Sequence, residues 1–269
     1  MQWAVGKSQF EWLAEHPERQ RMFDGYMASR RQGKKEWFEV YPFHERLLTN
    51  QPKRQEEQEA FIVDIGGNQG HNLQRLVEKK REAILGTTNK NNRSEESGFQ
   101  GRLVLQDLPA IIAKAPHVEG VEQMAYSFFD SQPVKGGFIS FLALLGTPSP
   151  GLKMTNFVKL ETAAKVYFFR AIFHDWPDRI CRQILTNTVA AMDPAASRII
   201  IVDHVLSDIK ASLIQTSIDI QMMSIGAGME RSLQHWKQLL AEAGLEIRGI
   251  WWGEPGLESV IEAGVIGGQ

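Results

Sequence analysis

Glycine residues after a short apolar run mark the first place where this chain could bind a ligand. Residues 63–70 read Val-Asp-Ile-Gly-Gly-Asn-Gln-Gly, and the apolar stretch from residue 61 to 65 predicts a buried strand. Glycine adopts dihedral angles that other residues resist, so its backbone can pass close to a nucleotide. Residues 71–80 then have the apolar spacing of a helix, with Leu73, Leu76 and Val77 on one face. We interpret this order as a Rossmann-like cofactor site; the alternative is an ordinary tight turn without a ligand.

The spacing of these glycines separates cofactor classes. A dinucleotide fingerprint needs glycines at its first, third and sixth positions, and Gly66, Gly67 and Gly70 fit that spacing in no frame. The segment is more similar to the acid-x-Gly-x-Gly-x-Gly pattern of S-adenosylmethionine-dependent methyltransferases, with Asp64 as the acid and Asn68 at the middle glycine. Asparagine tolerates left-handed backbone angles better than other non-glycine residues. The loop therefore favours S-adenosylmethionine over a nicotinamide cofactor.

A histidine at the end of a second apolar run could act as a base. Residues 170–178 read Arg-Ala-Ile-Phe-His-Asp-Trp-Pro-Asp, and they end a strand before a helix that begins at Pro177. Open parallel sheets place their ligands at the carboxyl ends of strands. His174 lies there, and imidazole titrates near neutrality, so it can take a proton from a hydroxyl group. Taken alone, a structural histidine that only makes hydrogen bonds is the alternative.

Strands and helices alternate along the chain and must position these residues. This alternation predicts an α/β fold, a seven-stranded, mostly parallel sheet with helices on both faces. Before it, the first fifty residues are predicted to be helical, with core positions at Phe10, Leu13, Met22, Phe23 and Tyr26. The predicted strands lie near 61–65, 102–106, 120–125, 166–172, 198–204, 246–251 and 258–262. The predicted helices lie near 71–80, 109–115, 178–192, 210–224 and 232–243.

Two stretches interrupt this alternation. We predict a helical segment with its connector at 1–59 and a cofactor-binding domain at 60–269, with insertions at 81–100 and 137–162. The first insertion is polar, which predicts a loop. The second is apolar at first, then rich in glycine, proline and threonine without a clear period. It reads like translated non-coding sequence, a hypothesis that a transcript would test.

Composition excludes several classes of protein. A chain of 269 residues with 43% hydrophobic and 23% charged residues is typical of a soluble globular protein, and a net charge of −2 favours neither nucleic acid nor an anionic membrane. The lone Cys181 excludes an intramolecular disulfide framework and suits a reducing compartment; we expect it to be a packing residue. The N-terminus lacks the order of a signal peptide, and the apolar residues 138–145 are too few to span a bilayer. We predict a cytoplasmic protein.

Five segments occur in the order found in plant caffeic-acid-type and fungal small-molecule O-methyltransferases. The chain resembles a fungal member of that family from about residue 8 to the C-terminus, apart from the two insertions. The resemblance implies a Rossmann-like class I methyltransferase fold. It also implies that relatives are homodimers with a further N-terminal dimerisation domain that closes the acceptor pocket. By this resemblance we expect the chain to lack that domain and to be a poor methyltransferase by itself. The segments are Val63 to Leu73, Leu103 to Pro109, Phe168 to Asp178, Ile199 to Leu206 and Gly228 to Ser232.

The resemblance implies four further contacts with the cofactor. Asp107 matches the acid that binds the ribose hydroxyls, and its alternative role is a helix cap before Pro109. Its distance from the glycine loop returns to the usual ~20 residues if 81–100 is removed. Phe128 lies where the family packs a side chain on the adenine, and a core phenylalanine is the alternative. Ser127 occupies a position where relatives commonly carry an acidic residue that binds the cofactor. Arg170 matches a basic residue near the cofactor, with a surface charge as the alternative.

The same resemblance implies the reacting group. His174 matches the base, and Asp203 and Glu230 match the two acids that orient and polarise it. The acceptor pocket could be lined by three apolar side chains, although core packing is the alternative that we favour for them: Met222, Met223 and Trp236. No segment resembles an HExxH zinc site or an acidic metal cluster, so we predict no metal.

The predicted function is S-adenosylmethionine-dependent O-methylation of a small phenolic or enolic metabolite in secondary metabolism. The protein must align an acceptor oxygen with the activated methyl group and remove its proton. One alternative is a homologue that binds the cofactor without methylating, either a degenerate subunit or a rearrangement catalyst. A nicotinamide oxidoreductase is a third hypothesis, which the glycine spacing disfavours.

Overall fold

The computed structural model describes residues 6–7, 9–29, 33–48, 59–86, 101–135, 163–225, 228–254 and 256–268. The strands in these ranges are β1 (Ala60–Ile65), β2 (Arg102–Asp107), β3 (Val121–Ala125), β4 (Val166–Arg170), β5 (Arg198–Asp203), β6 (Val205–Leu206), β7 (Arg231–Ser232), β8 (Leu245–Trp251) and β9 (Ser259–Val265). The α-helices are α1 (Gln9–Ala14), α2 (Pro17–Ser29), α3 (Trp37–Val40), α4 (His71–Gly86), α5 (Pro109–Ile112), α6 (Asp178–Val189), α7 (Leu213–Ile225) and α8 (Leu233–Glu242). A π-helical turn covers His44–Leu48, and a 3-10 turn covers Phe173–Asp175.

Seven strands form one sheet in the order β3-β2-β1-β4-β5-β9-β8. β1 pairs in parallel with β2 and with β4, and β2 pairs in parallel with β3. Every residue of β1 is buried, as expected for a strand with parallel neighbours on both sides. β6 and β7 pair in parallel as a separate two-stranded sheet. The predicted α/β fold class with a mostly parallel seven-stranded sheet is confirmed.

The sequence located all seven strands of the large sheet but erred at several boundaries. The fourth strand ends at Arg170 rather than at residue 172, because Ala171 adopts a left-handed φ of 54°. The helix predicted at 109–115 ends at Ile112. Helix α4 continues to Gly86, so the beginning of the predicted loop 81–100 is helical. The rest of that loop up to residue 100, and all of 137–162, lie outside the described residues. The short strands β6 and β7 were missed.

The chain divides into two compact units. One contains Met1–Asn50, Phe169–Gln183 and Ile200–Ala263 and is called the histidine unit below. The other contains Gln51–Phe168, Ile184–Ile199 and Gly264–Gln269 and is called the glycine-loop unit. The core of the glycine-loop unit includes the side chains of β1, the middle of β2 and the inner face of α4. The predicted inner face of α4 is confirmed at Leu73 and Leu76, and Val77 is half-buried.

The N-terminal part of the histidine unit is held by aromatic side chains that the sequence analysis missed. Trp37, Tyr41 and Leu47 are buried. The Tyr41 hydroxyl donates to Glu262 Oε2 at 2.8 Å, and the Arg46 guanidinium donates to both Glu262 oxygens at 3.0 and 2.8 Å. These contacts fix the segment to β9.

The predicted N-terminal core was partly wrong. Leu13 is buried as predicted and Phe23 is half-buried, but the Met22 side chain is 66% exposed. Helix α2 has four charged residues among its first eight, and its polar and apolar residues are not separated onto opposite faces. The side chains of Phe10 and Tyr26 lie outside the described residues.

Candidate functional site

The glycine loop turns sharply directly after β1. Gly66 and Gly70 have positive φ angles of 71° and 80°, and Asn68 between them has a φ of 53°. The backbone N–H groups of Gly66 and Gly67 donate to the Gln106 carbonyl at 2.8 and 3.2 Å. Asn68 thus adopts the left-handed conformation for which asparagine is the best replacement of glycine. The loop has the backbone shape that its sequence predicted.

Position 67 requires glycine because neighbouring side chains leave no room for a Cβ atom, and not because of its backbone angle. A Cβ atom built on Gly67 would lie 2.7 Å from the Asp64 carboxylate and 2.5 Å from Leu105 Cδ1. Asp64 is fully buried below the loop and accepts a hydrogen bond from Asn72 Nδ2 at 3.3 Å. The loop is therefore packed onto β1 and β2 so closely that only a hydrogen atom fits at this position.

Asp107 at the end of β2 is joined to the glycine loop. Its Oδ2 accepts a hydrogen bond from the Asn68 N–H at 2.8 Å, and its Oδ1 accepts one from the Leu108 N–H at 2.7 Å. Burial raises the pKa of Asp107, and these two hydrogen bonds oppose the shift. Leu108, not Asp107, is the N-cap residue of α5. Each carboxylate oxygen retains a lone pair that could accept a ligand hydroxyl.

Ser127 and Phe128 lie in the glycine-loop unit, in the connection after β3. The Phe128 ring is half-buried and packs edge-on against Phe129, with 4.9 Å between the ring centroids. The Phe128 carbonyl accepts a hydrogen bond from Asn187 Nδ2 at 3.0 Å, which fixes the backbone here. A ring that is only half-buried can still offer a face to a ligand, whereas a core phenylalanine cannot. The Ser127 hydroxyl accepts a weak hydrogen bond from the Phe129 N–H at 3.4 Å.

The three predicted catalytic residues meet in the histidine unit. His174 Nδ1 lies 3.1 Å from Glu230 Oε1 and 3.6 Å from Asp203 Oδ1. His174 Nε2 lies 3.8 Å from Asp175 Oδ1. Their side chains are almost fully enclosed, with exposed fractions of 8% for His174 and 1% for each acid. Folding thus brings one imidazole nitrogen into contact with two carboxylates from distant parts of the sequence.

This geometry decides which imidazole nitrogen can act as a base. A carboxylate only accepts hydrogen bonds, so the Nδ1 atom of His174 must carry a hydrogen that it donates to Glu230. In the neutral ring the lone pair then lies on Nε2, because the partner of one nitrogen sets the tautomer of the other. His174 Nε2 is therefore the proton acceptor of this cluster.

Neighbouring charges make this imidazole a stronger base. Burial favours the neutral ring, but the Asp203 charge and the Glu230 hydrogen bond outweigh it and raise the pKa of His174 to about 9. Burial also raises the pKa of Asp203, against the attraction of His174. The protonated form of His174 is therefore favoured at neutral pH. The ring can accept a proton only after it has lost this one, and the neutral form becomes more populated as the pH rises.

Backbone contacts hold Glu230 beside the histidine. The Met229 N–H donates to the His174 carbonyl at 2.9 Å, and the Glu230 N–H donates to Asp219 Oδ1 at 2.8 Å. A Cβ atom on Gly228 would clash with the His174 carbonyl, so this position requires glycine. Asp219 was not predicted as a site residue, because nothing in its sequence spacing links it to residue 230.

Arg170 lies in the histidine unit and has acidic neighbours. Its guanidinium lies 3.7 Å from a Glu36 carboxylate oxygen and 3.6 Å from a Glu258 oxygen, and its side chain is only 6% exposed. The alternative of a surface charge is therefore wrong. Its contact with a cofactor stays a prediction.

The apolar candidates for an acceptor pocket divide between core and surface. Trp236 is buried, packs against Phe173 and donates from Nε1 to the His204 carbonyl at 3.3 Å. Met222 is also buried, whereas the Met223 side chain is 63% exposed. Core packing, the favoured alternative, holds for the first two.

Cys181 is buried, as expected for a packing residue, and burial raises its pKa to about 11. A thiol with that pKa stays protonated at neutral pH and is a weak nucleophile.

The catalytic candidates also have the composition of a metal site. Within the described ranges, His174, Asp203 and Glu230 can offer ligand atoms that all lie within 4.8 Å of one another. No sequence spacing announced this cluster, because its members come from three separate segments. Both acids already face the same imidazole nitrogen, an arrangement that serves a base without an ion. No helix in the described part of the chain is long and apolar enough to cross a membrane.

Comparisons with known proteins identify the relatives of this chain. Residues 156–246 match the O-methyltransferase domain family. Methyltransferase cfoC of Aspergillus candidus is 32% identical over 257 residues, which cover 96% of this chain and 53% of the relative. The chain spans about half the length of the curated relatives it matches.

Two solved structures are similar over nearly the whole chain. One, a pericyclic reaction enzyme, is 29% identical with a TM-score of 0.73 and covers 98% of this chain and 57% of its own. Another, OxaC in complex with SAH and oxaline, is 28% identical with a TM-score of 0.66 and covers 97% of this chain and 54% of its own.

Proposed function

We propose that this chain, which belongs to the same O-methyltransferase family as its fungal relatives, methylates a hydroxyl group of a small phenolic or enolic metabolite in secondary metabolism. The observation that carries the proposal is the contact of His174 Nδ1 with Glu230 and Asp203, which leaves Nε2 as a base. The family match and the fungal relatives support the reaction class.

S-Adenosylmethionine is the proposed cofactor, and when bound it supplies a methyl group on a sulfonium centre. OxaC, a structural neighbour, is known in complex with SAH, the demethylated product of that cofactor. The loop from Gly66 to Gly70 would receive it, because its backbone turns tightly at left-handed residues and Gly67 holds it close against Asp64 and Leu105. Asp107 would accept hydrogen bonds from the ribose hydroxyls. Phe128 would contact the adenine, and Asp64, Ser127 and Arg170 are the other proposed contacts.

The residues of the histidine cluster would remove the acceptor proton. The proton passes from the acceptor oxygen to His174 Nε2, while Nδ1–H stays bonded to Glu230. Asp203 balances the positive charge that forms on the ring. An ordinary histidine with a pKa of ~6.5 lies about 3.5 units below a phenol, which makes the transfer unfavourable by roughly 5 kcal/mol. A pKa of about 9 reduces this cost to on the order of 1 kcal/mol.

The proposed partners are a small-molecule acceptor and no nucleic acid, which agrees with a net charge of −2. We also propose a cytoplasmic location, and a mechanism that requires no metal, since the carboxylates of the cluster are already directed at the imidazole. The family is homodimeric by resemblance, so dimerisation is a further proposal.

Transfer of isotopically labelled methyl groups tests the proposal. The chain would be incubated with S-adenosylmethionine and a panel of phenols and enols, with aliphatic alcohols as the control class. We expect labelled product from acidic hydroxyls and none from aliphatic alcohols, whose pKa lies far above that of His174. Labelled aliphatic ethers, or labelled amines from an amine panel, would contradict the proposal.

A rearrangement without methyl transfer is a second candidate function. One observation favours it, the similarity of nearly the whole chain to a pericyclic reaction enzyme at a TM-score of 0.73. This function predicts that S-adenosylmethionine binds and stays intact while a substrate changes its bonding without a change in mass. Mass spectrometry of substrate and cofactor after the same incubation separates the two functions.

A further inference from the structure

Arg231 is enclosed by the segment that carries His174. Its side chain has no exposed surface, at 0%. Its Nη1 donates to the Phe173 carbonyl at 2.8 Å, and its Nη2 donates to the Trp176 carbonyl at 2.8 Å. Nε and Nη2 also donate to Asp178 Oδ1 at 3.0 and 2.8 Å. The guanidinium group therefore fixes the backbone on both sides of the histidine.

The segment that carries Arg231 makes further hydrogen bonds to the segment that carries the proposed base, His174. The Met229 N–H donates to the His174 carbonyl, the Glu230 side chain accepts from His174 Nδ1, and Arg231 donates to the Phe173 carbonyl. Three consecutive residues of one segment thus bind two consecutive residues of the other. The Arg231 contacts therefore hold the backbone that carries His174 close to the segment that carries Glu230.

The surroundings of Arg231 are built for this single orientation. Asp178 Oδ2 accepts a hydrogen bond from His235 at 2.7 Å, so both oxygens of its carboxylate are engaged. Burial acts to raise the pKa of Asp178, but hydrogen bonds from His235 and Arg231 hold it below its usual value. The Arg231 guanidinium also lies over the Trp236 ring, 5.5 Å from its centroid. A planar fork with several donors meets these acceptors, whereas a lysine ammonium group cannot reach all of them.

We propose that Arg231 is a positioning residue, which holds the turn around His174 so that Nδ1 stays bonded to Glu230 and Nε2 keeps one direction. This inference rests on the proposed function, in which His174 is the base. Arg231 acts through His174, because its own side chain is enclosed by protein. The sequence alone offered one signal, its place directly after Glu230.

The titration of His174 reports on this positioning. The ionisable groups that face the imidazole are Asp175 on its own turn, Asp203 on β5 and Glu230 before β7. If the turn loosens, the ring loses the Glu230 hydrogen bond while it stays buried. Its protonation midpoint must then fall, because burial alone favours the neutral ring.

Two variants and a control test the proposal. Arg231→Lys keeps the charge but removes the fork, and Asp178→Asn keeps the shape but removes the charged acceptor. Arg182→Lys is the control, because Arg182 makes a similar ion pair with Glu242 at 2.9 Å on the surface. Each variant is checked for folding by circular dichroism. The protonation of His174 is followed by NMR of its labelled ring, and kcat, KM and the Kd for SAH are measured separately.

We expect Arg231→Lys to lower the His174 midpoint and to reduce kcat by a factor on the order of 10–100, with the SAH Kd within about twofold of wild type. Asp178→Asn should change the same two quantities less, and Arg182→Lys neither. An unchanged His174 titration in a folded Arg231→Lys protein would overturn the proposal. If Arg231→Lys does not fold, Asp178→Asn decides, and an unchanged titration there has the same meaning. The NMR result stands even if no methyl transfer is found, so the two proposals fail separately.

Discussion

The glycine loop and the histidine cluster are built in opposite ways, although we assign both to one reaction. The glycine loop offers backbone rather than side chains, since Gly67 packs directly onto Asp64 and Leu105 and Gly66, Asn68 and Gly70 have left-handed angles. The histidine cluster instead consists of buried side chains, whose partners come from three separate segments. A loop of this kind suits a ligand that is shared by a whole family, whereas a side-chain cluster can be tuned in its acidity.

The comparison predicts that substitutions in the two regions affect different measurements. Changes in the glycine loop should alter affinity for the cofactor, because they displace the backbone that would bind it. Changes in the histidine cluster should alter turnover and its pH dependence while the affinity stays. A variant that alters both quantities equally would break this division.

The largest effect is expected for His174→Gln. Loss of the base should lower turnover by a factor on the order of 100 or more, because general base catalysis contributes about that much. Binding of SAH, measured by calorimetry, should survive. The control is His117→Gln on the surface, which should leave turnover unchanged. Turnover of His174→Gln close to wild type would mean that alignment alone drives transfer and that His174 has a structural role.

Gly67→Ala should have the next largest effect, which we expect on the affinity for SAH. The new methyl group would clash with the Asp64 carboxylate and Leu105, so the loop must shift. We expect this shift to destabilise the folded protein by about 1–3 kcal/mol. We expect weaker SAH binding and a lower melting temperature. Gly25→Ala is the matched control, because Gly25 lies in helix α2 with no atom within 4 Å of an added Cβ. That change should stabilise the helix by ~0.5–1 kcal/mol, and equal effects of the two variants would contradict the packing argument.

Asp107→Asn should have a smaller effect of the same kind. The amide retains one acceptor oxygen but loses the charge that strengthens hydrogen bonds, so SAH affinity should fall by ~1–2 kcal/mol. The loop contact with the Asn68 N–H is expected to loosen as well. Glu119→Gln, which removes a surface ion pair with Arg81, is the control. Calorimetry with unchanged affinity in Asp107→Asn would remove the ribose assignment.

The sequence predicted the parts of the molecule that depend on local patterns. Apolar runs located β1, β4 and β5, because strands inside a sheet that is covered on both faces are apolar along most of their length. The meeting of His174 and Asp203 also follows from local features, since Asp203 ends β5 and His174 lies in the turn after the adjacent strand β4. Asn68 was expected to adopt a left-handed angle from its residue type alone.

What the sequence could not predict depends on tertiary contacts. Ala171 has a positive φ, and no property of alanine announces it; the surrounding contacts, including its N–H to the Val202 carbonyl at 3.0 Å, impose the angle. Met22 was expected in the core because it is apolar, yet its helix has no apolar face. The bond from Tyr41 to Glu262 joins residues 221 positions apart, and such pairs have no signature in spacing.

The pH dependence of single-turnover methyl transfer, measured with SAH affinity on the same protein, tests the central claim most directly. Neutral His174 is the proposed base, and its pKa is raised to about 9. Below that value the ring is protonated, so the rate should rise by about tenfold per pH unit between pH 7 and 8.5 and level off near pH 9. SAH affinity should stay constant over the same range. A rate that stays flat or falls as the pH rises from 7 to 9 would contradict the account.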